Sequence, residues 1–175
     1  MKTKLILIVL ISLLIISCEK NDKNSFAIGE GFEIYLTETY YAYNVDMDYS
    51  TVDFDSILLS DIPILRYNDL KNYDTITHKL TLWISNDFIK SEDHFLMFVV
   101  TINKVPIYCG FINFLPEPPN VLPPPIYWVY IQVPLIDSNN SNNNEIVISF
   151  GSKEFPDPRL DRRIVDRLKV DEKIK

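Results

Sequence analysis

Glycine is scarce in this sequence: there are four among 175 residues. A loop that wraps a phosphate uses glycines so that backbone N–H groups can close on the ligand. No Gly-rich phosphate loop is present. Histidine and cysteine are scarcer still, with two of each. HExxH and CxxC patterns are missing, as is a GxSxG elbow, which removes the commonest metal, redox and hydrolase signatures. Basic charge is also short, 17 Lys and Arg against 24 Asp and Glu, for a net charge of −7. Nucleic-acid affinity comes largely from neutralised phosphates, so this balance argues against a nucleic-acid partner. It argues equally against a polybasic membrane-binding face. No internal repeat is visible.

What the chain does have is a distinctive start. Lys2 and Lys4 make a charged N-terminus, Leu5 to Ile16 is almost unbroken apolar sequence, and Ser17 precedes Cys18. The run is too short to span a hydrocarbon core of roughly 30 Å comfortably, and its length suits the h-region of an export signal. Ile15-Ile16-Ser17-Cys18 forms a lipobox, and the whole segment resembles bacterial lipoprotein precursors. The resemblance implies that residues 1–17 are a cleaved lipoprotein signal peptide. It further implies that Cys18 is the lipidation site, diacylated with palmitate-type chains. Each buried methylene contributes about 0.8 kcal/mol, and two chains anchor stably where one does not. The expected location is the bacterial cell envelope, lipid-anchored, at the outer membrane on its periplasmic or surface face.

Losing Lys2 and Lys4 with the leader leaves 15 basic and 24 acidic side chains on a mature chain of 158 residues, a net charge of −9. That length suits one domain burying roughly 70% of its unfolded surface. Acylation of Cys18 would leave Cys109 as the remaining thiol, so no intramolecular disulfide is expected.

Residues 18–30 are rich in polar and charged side chains and read as a flexible tether. Residues 31–175 read as a single α+β domain, mostly antiparallel sheet with a C-terminal helix and short helical turns. Phe32, Ile34 and Leu36 alternate with Glu33, Tyr35 and Thr37, the period of a half-buried strand. Leu80, Leu82 and Ile84 alternate in the same way with Lys79, Thr81 and Trp83. Phe95 to Val100 is continuously apolar, which predicts a central strand covered on both faces. Asn103-Lys104 predicts a hairpin turn, because Asn tolerates the left-handed conformation. Ile107–Leu115 should be the next strand, with Pro106 and Gly110 marking an edge or a bulge. Ile126–Val133 and Glu145–Phe150 are two further strands, joined by a polar, turn-rich stretch over 138–144. Asp157-Pro158 supplies an N-cap followed by proline at the first helical position. Leu160, Ile164 and Leu168 then form an apolar stripe, with Arg162, Arg163 and Asp166 facing water. Short helical turns are expected near Asp69–Asn72 and Asp87–Ser91. Residues 116–125 carry six prolines and read either as a stiff polyproline connector or as a recognition loop.

The residues that could carry chemistry are few. Asp46, Asp48 and Ser50 match the first ligand positions of a calcium loop, with Asp53 and Asp55 nearby. Thr51 then stands where the glycine is required and Ile57 where the bidentate glutamate belongs, so a solvated acidic loop is expected. His78 is in phase with Leu80 and Leu82, which predicts a structural hydrogen bond at the rim of the core rather than catalysis. His94 is expected to be exposed. Cys109 sits in an apolar strand with no visible base, so a buried, inert thiol is expected. Tyr40, Tyr41, Tyr43 and Tyr49 form either an aromatic binding surface or a partial cover for the sheet. No catalytic, cofactor or metal residue is assigned.

Several segments together carry a family resemblance. They are Pro63-Ile64-Leu65, Asn68 to Asp74, Thr77 to Leu82, Met97 to Val100, Ile107 to Gly110, and Asp157 to Asp161 with Ile164. Their order over residues 31–170 resembles an uncharacterised family of small bacterial lipoproteins and exported proteins. Residues 60–115 are more distantly similar to the head part of the periplasmic P1 domain of the protein-export subunit SecD, where a comparable "DI" turn leads into an apolar strand and a hydrophobic hairpin. The resemblance implies a small α+β layer without catalytic residues. Cys109 and the proline-rich segment depart from the family pattern. The expected function is that of a non-enzymatic, membrane-anchored envelope lipoprotein that binds a protein or other envelope component. Two alternatives stand beside it: an inhibitor or immunity-like lipoprotein that caps a partner, and a hydrolase with an unrecognised site.

Overall fold

A computed structural model describes residues 26–38, 52–89, 96–113, 129–132, 144–151 and 155–175. Seven strands form one curled mixed sheet: β1 (Phe32–Leu36), β2 (Leu70–Asp74), β3 (Lys79–Leu82), β4 (Met97–Ile102), β5 (Val105–Asn113), β6 (Val129–Gln132) and β7 (Glu145–Phe150). Their order across the sheet is β1-β4-β5-β6-β7-β3-β2. One helix, α1 (Arg162–Val170), closes the chain, and three-residue 3-10 turns lie at Phe54–Ser56, Tyr67–Asp69 and Pro158–Leu160. The α+β class stands. The antiparallel expectation needs one correction, because β5 and β6 run parallel.

Every residue of β4 is buried, as its continuous apolar sequence predicts. The hairpin into β5 turns on Asn103 and Lys104, at φ 51° and 64°, the left-handed pair that suits a two-residue turn. Thr101 pairs Pro106 while Val100 pairs Tyr108, so Ile107 is the extra residue of a bulge. Gly110 marks no edge. It lies where β5 meets β6, and a Cβ there would come 2.4 Å from the Val129 carbonyl oxygen.

β1 departs from its half-buried expectation. Phe32, Glu33, Ile34 and Tyr35 are all buried. The Glu33 carboxylate accepts hydrogen bonds from Gly29 N at 2.9 Å and Tyr35 Oη at 2.7 Å, which offsets part of its desolvation. β3 and β7 do alternate, with Leu80, Leu82, Ile146 and Ile148 buried. Lys79 and Glu145 pair at 2.9 Å on the other face.

β2 replaces the helical turn expected near Asp69–Asn72. The 3-10 turn ends at Asp69, and a register shift between Leu70 and Asn72 breaks the period of two that would have revealed the strand. Isolated contacts lie along both sheet edges. Leu59 and Leu65 bridge to β1. Lys173 and Lys175 bond the backbone of Tyr73 on β2.

The helix starts later than expected. Asp157 caps only the 3-10 turn, through Arg159 N. Asp161 then adopts extended backbone and caps α1 through Arg163 N. This break takes Leu160 out of the stripe and leaves it 48% exposed, whereas Ile164 and Leu168 are buried. Arg162, Arg163 and Asp166 are exposed, as expected. The packed chain includes Phe26, whose ring lies 4.7 Å from that of Tyr67.

Candidate functional site

The densest polar cluster among the described residues joins the β2–β3 turn to the segment before α1. Asp74 shapes the turn by accepting from Ile76 N and Thr77 N, at 2.8 and 3.0 Å. These bonds hold the Asp74 carboxyl below its ordinary pKa. His78 ends the turn at φ 55°, and its carbonyl accepts from Ile148 N. That backbone conformation aims the ring at the core. Nδ1 lies 2.6 Å from Tyr73 Oη, and Nε2 lies 3.5 Å from Asp157 Oδ2. Arg159 grips the same carboxylate in a fork, Nη2 to Oδ2 at 2.6 Å and Nε to Oδ1 at 2.8 Å. Its Nη1 donates to the Ile148 carbonyl at 2.7 Å.

The direction of the Tyr73–His78 bond depends on the tautomer of the ring. The Tyr73 hydroxyl also donates to the Arg159 carbonyl at 3.4 Å. Burial, reinforced by the Arg159 charge, lowers the His78 pKa despite the neighbouring Asp157 and Asp74. Burial also raises the Tyr73 hydroxyl above its ordinary value. Burial works against ionised Asp157, but the Arg159 hydrogen bonds outweigh it and hold its carboxyl low.

The order Tyr–His–Asp mimics a nucleophilic triad. Its chemistry differs: Tyr73 is 2% exposed, and its raised pKa keeps the hydroxyl protonated. Nδ1 of His78 is hydrogen-bonded to Tyr73 and Nε2 faces the Asp157 carboxylate. The cluster ties one hairpin to the C-terminal segment.

A second cluster ties the other end of that segment. The Tyr67 hydroxyl donates to Asp171 Oδ2 at 2.6 Å, and its ring lies against Gly31, at φ 83°, where a Cβ would come 2.1 Å from Cδ1. Arg167 and Lys173 stand over the same ring at 5.5 and 4.8 Å. Lys173 Nζ also donates to the Leu70 carbonyl. Arg167 Nε is 3.0 Å from Asp171 Oδ2 yet finds no aligned acceptor, so that attraction is Coulombic.

Of the residues singled out in the sequence, the structure joins His78 to Asp157, which sequence spacing could not foresee. Tyr67, Tyr73 and Arg159 carry no chemical signal in the sequence, because the clusters form only when the fold brings residues 67–78 against 157–171. Asp53 caps the turn at Phe54–Ser56 by accepting from Asp55 N. Cys109 is buried, and burial pushes its thiol up to about 12. Cys18, Asp46, Asp48, Ser50, His94, the tyrosines at 40, 41, 43 and 49, and the prolines of 116–125 lie outside the described residues. Among the described residues, no group of three or more His, Cys, Asp or Glu could hold a metal ion. No helix there is long and apolar enough to cross a membrane. No family model, curated protein or solved structure matches the chain.

Proposed function

We propose that this is a lipid-anchored protein of the bacterial envelope, held at the outer membrane through Cys18, that acts by binding another envelope component. The observation that carries the reading is the lipobox, Ile15-Ile16-Ser17-Cys18, directly after the apolar run. The binding role draws support from His78, whose ring is committed on both sides to structural partners. Trp83 offers a contact point: it is 65% exposed, with Lys71 Nζ 4.7 Å from the ring centroid. Exposed aromatic side chains of this kind are enriched at interfaces. A partner capped as by an inhibitor or immunity protein would use the same surface. The hydrolase alternative needs a base, and His78 would have to leave both Tyr73 and Asp157 to serve as one.

Metabolic labelling with a tagged fatty acid tests the anchor. The wild type should be labelled and Cys18→Ala should not; equal labelling of both would sink the reading. A photo-crosslinker at position 83 in intact cells tests the binding role. A single captured envelope protein is expected, and an unselective smear would count against it.

A further inference from the structure

Charge is unevenly divided along the mature chain. Residues 159–175 hold seven basic and four acidic side chains, a net of +3, whereas residues 18–158 hold eight basic and 20 acidic, a net of −12. The overall acidity that argues against a membrane-binding face therefore conceals one basic element. On α1, Ile164 and Leu168 face the core. Arg162, Arg163, Asp166, Lys169 and Val170 are exposed. Of the nearby carboxylates, Asp161 is paired to Arg163 and Asp171 to Arg167, whereas Asp166 and Glu172 are exposed. Val170 is 77% exposed at the end of this face.

The same helix sits where the chain arrives from Cys18. Phe26 exchanges hydrogen bonds with Asn68, 2.9 Å from its N to Oδ1 and 2.7 Å from Nδ2 to its carbonyl. Arg167 stands 5.2 Å from the Phe26 ring centroid. Eight residue steps separate Cys18 from Phe26, which reach about 29 Å at most when fully extended. An acylated Cys18 thus holds Phe26, with α1 beside it, within about 29 Å of the lipid.

We propose that the exposed face of α1, where Arg162, Arg163, Lys169 and Val170 surround the single carboxylate of Asp166, rests on the anionic headgroup surface of the membrane that holds Cys18. It rests on the lipid-anchor reading and adds an orientation to it. The docked domain turns its acidic remainder away from the anionic surface. The far end of β1, where Glu38 N bonds the Leu58 carbonyl, stands off from the lipid.

The test uses the acylated mature protein, beginning at Cys18, in vesicles of phosphatidylcholine with about one-third phosphatidylglycerol. Fluorophores are attached in separate preparations through Val170→Cys and Leu58→Cys, and the quencher is a nitroxide on the lipid headgroup. Strong quenching at 170 and weak quenching at 58 are expected, with the difference lost in pure phosphatidylcholine. Each basic side chain near an anionic leaflet is worth about a fivefold factor. The triple variant R162E/R163E/K169E should therefore cut the docked-to-undocked ratio roughly a hundredfold or more. It should still sediment with the vesicles through its acyl chains. Equal quenching at both positions, or none at 170, in protein that sediments would overturn the orientation and leave the anchor standing. Protein that stays in the supernatant would overturn both.

Discussion

The two halves of the sheet are built on different rules. β1 and β4 are buried on both faces, down to the Glu33 carboxylate. β3 and β7, toward the other edge, bury every second residue and show Lys79 and Glu145 to solvent. A strand covered on both sides loses packing at any position, whereas a half-covered strand loses it only at alternate ones. The one-sided half is also where the polar ties to the C-terminal segment concentrate. His78 and Tyr73 do there with hydrogen bonds what the other half does with apolar contact.

The comparison breaks most easily at Phe98, which is fully buried in β4. Phe98→Ala should cost about 3–5 kcal/mol, read as a large drop in the urea midpoint. Thr81→Ala, on the solvent side of β3, should stay within about 0.5 kcal/mol. Similar midpoints for the two variants would erase the distinction. Next comes the helix, where Ile164→Ala should cost about 2–5 kcal/mol and Arg162→Ala very little. An unchanged midpoint for Ile164→Ala would mean that α1 is not docked.

Titration bears on both ends of the pH scale. On the acid side, burial lowers the His78 pKa. As pH falls below 6.5, its ordinary value, the unfolded chain takes up a proton that the folded ring resists. Stability from this group is thus full above that pH and is lost toward the lower folded pKa. The urea midpoint should fall between pH 7.5 and 5.5, and less so in His78→Gln. A midpoint with the same pH dependence in both proteins would remove His78 from the account. On the alkaline side, burial raises Tyr35 and Tyr67 above 10.0 and pushes the Cys109 thiol up from 9.0 to about 12. The fold keeps protons that the unfolded chain releases, so stability should decline as pH rises through this range. Cys109→Ala should blunt the earliest part of that decline, because the thiol has the lowest ordinary pKa of the three. The smallest effect is reserved for the half-buried Lys79–Glu145 pair: a double-mutant cycle should return at most about 1 kcal/mol, shrinking with salt.

The same contrast governs what could be seen in the sequence. β4 and β3 are legible because an unbroken apolar run and a strict alternation are each a direct print of their surroundings. The Asn103-Lys104 turn was legible because its backbone needs residue types that tolerate positive φ. β2 was not, since its bulge breaks the period, and the helix start was displaced because two aspartates four residues apart can each cap a turn. Parallel pairing of β5 with β6 leaves no local mark at all. Of the polar cluster, His78 was placed correctly at the rim of the core. Its partners Tyr73, Asp157 and Arg159 were not paired with it, because Asp157 and Arg159 approach only after the chain has crossed the sheet.

The central claim is attachment through Cys18, and the most direct measurement is the mass of the protein extracted from the cell envelope. The predicted species lacks residues 1–17 and begins at a Cys18 carrying fatty acyl chains. A species that retains Met1 to Ser17, or one that begins at an unmodified Cys18, would contradict it.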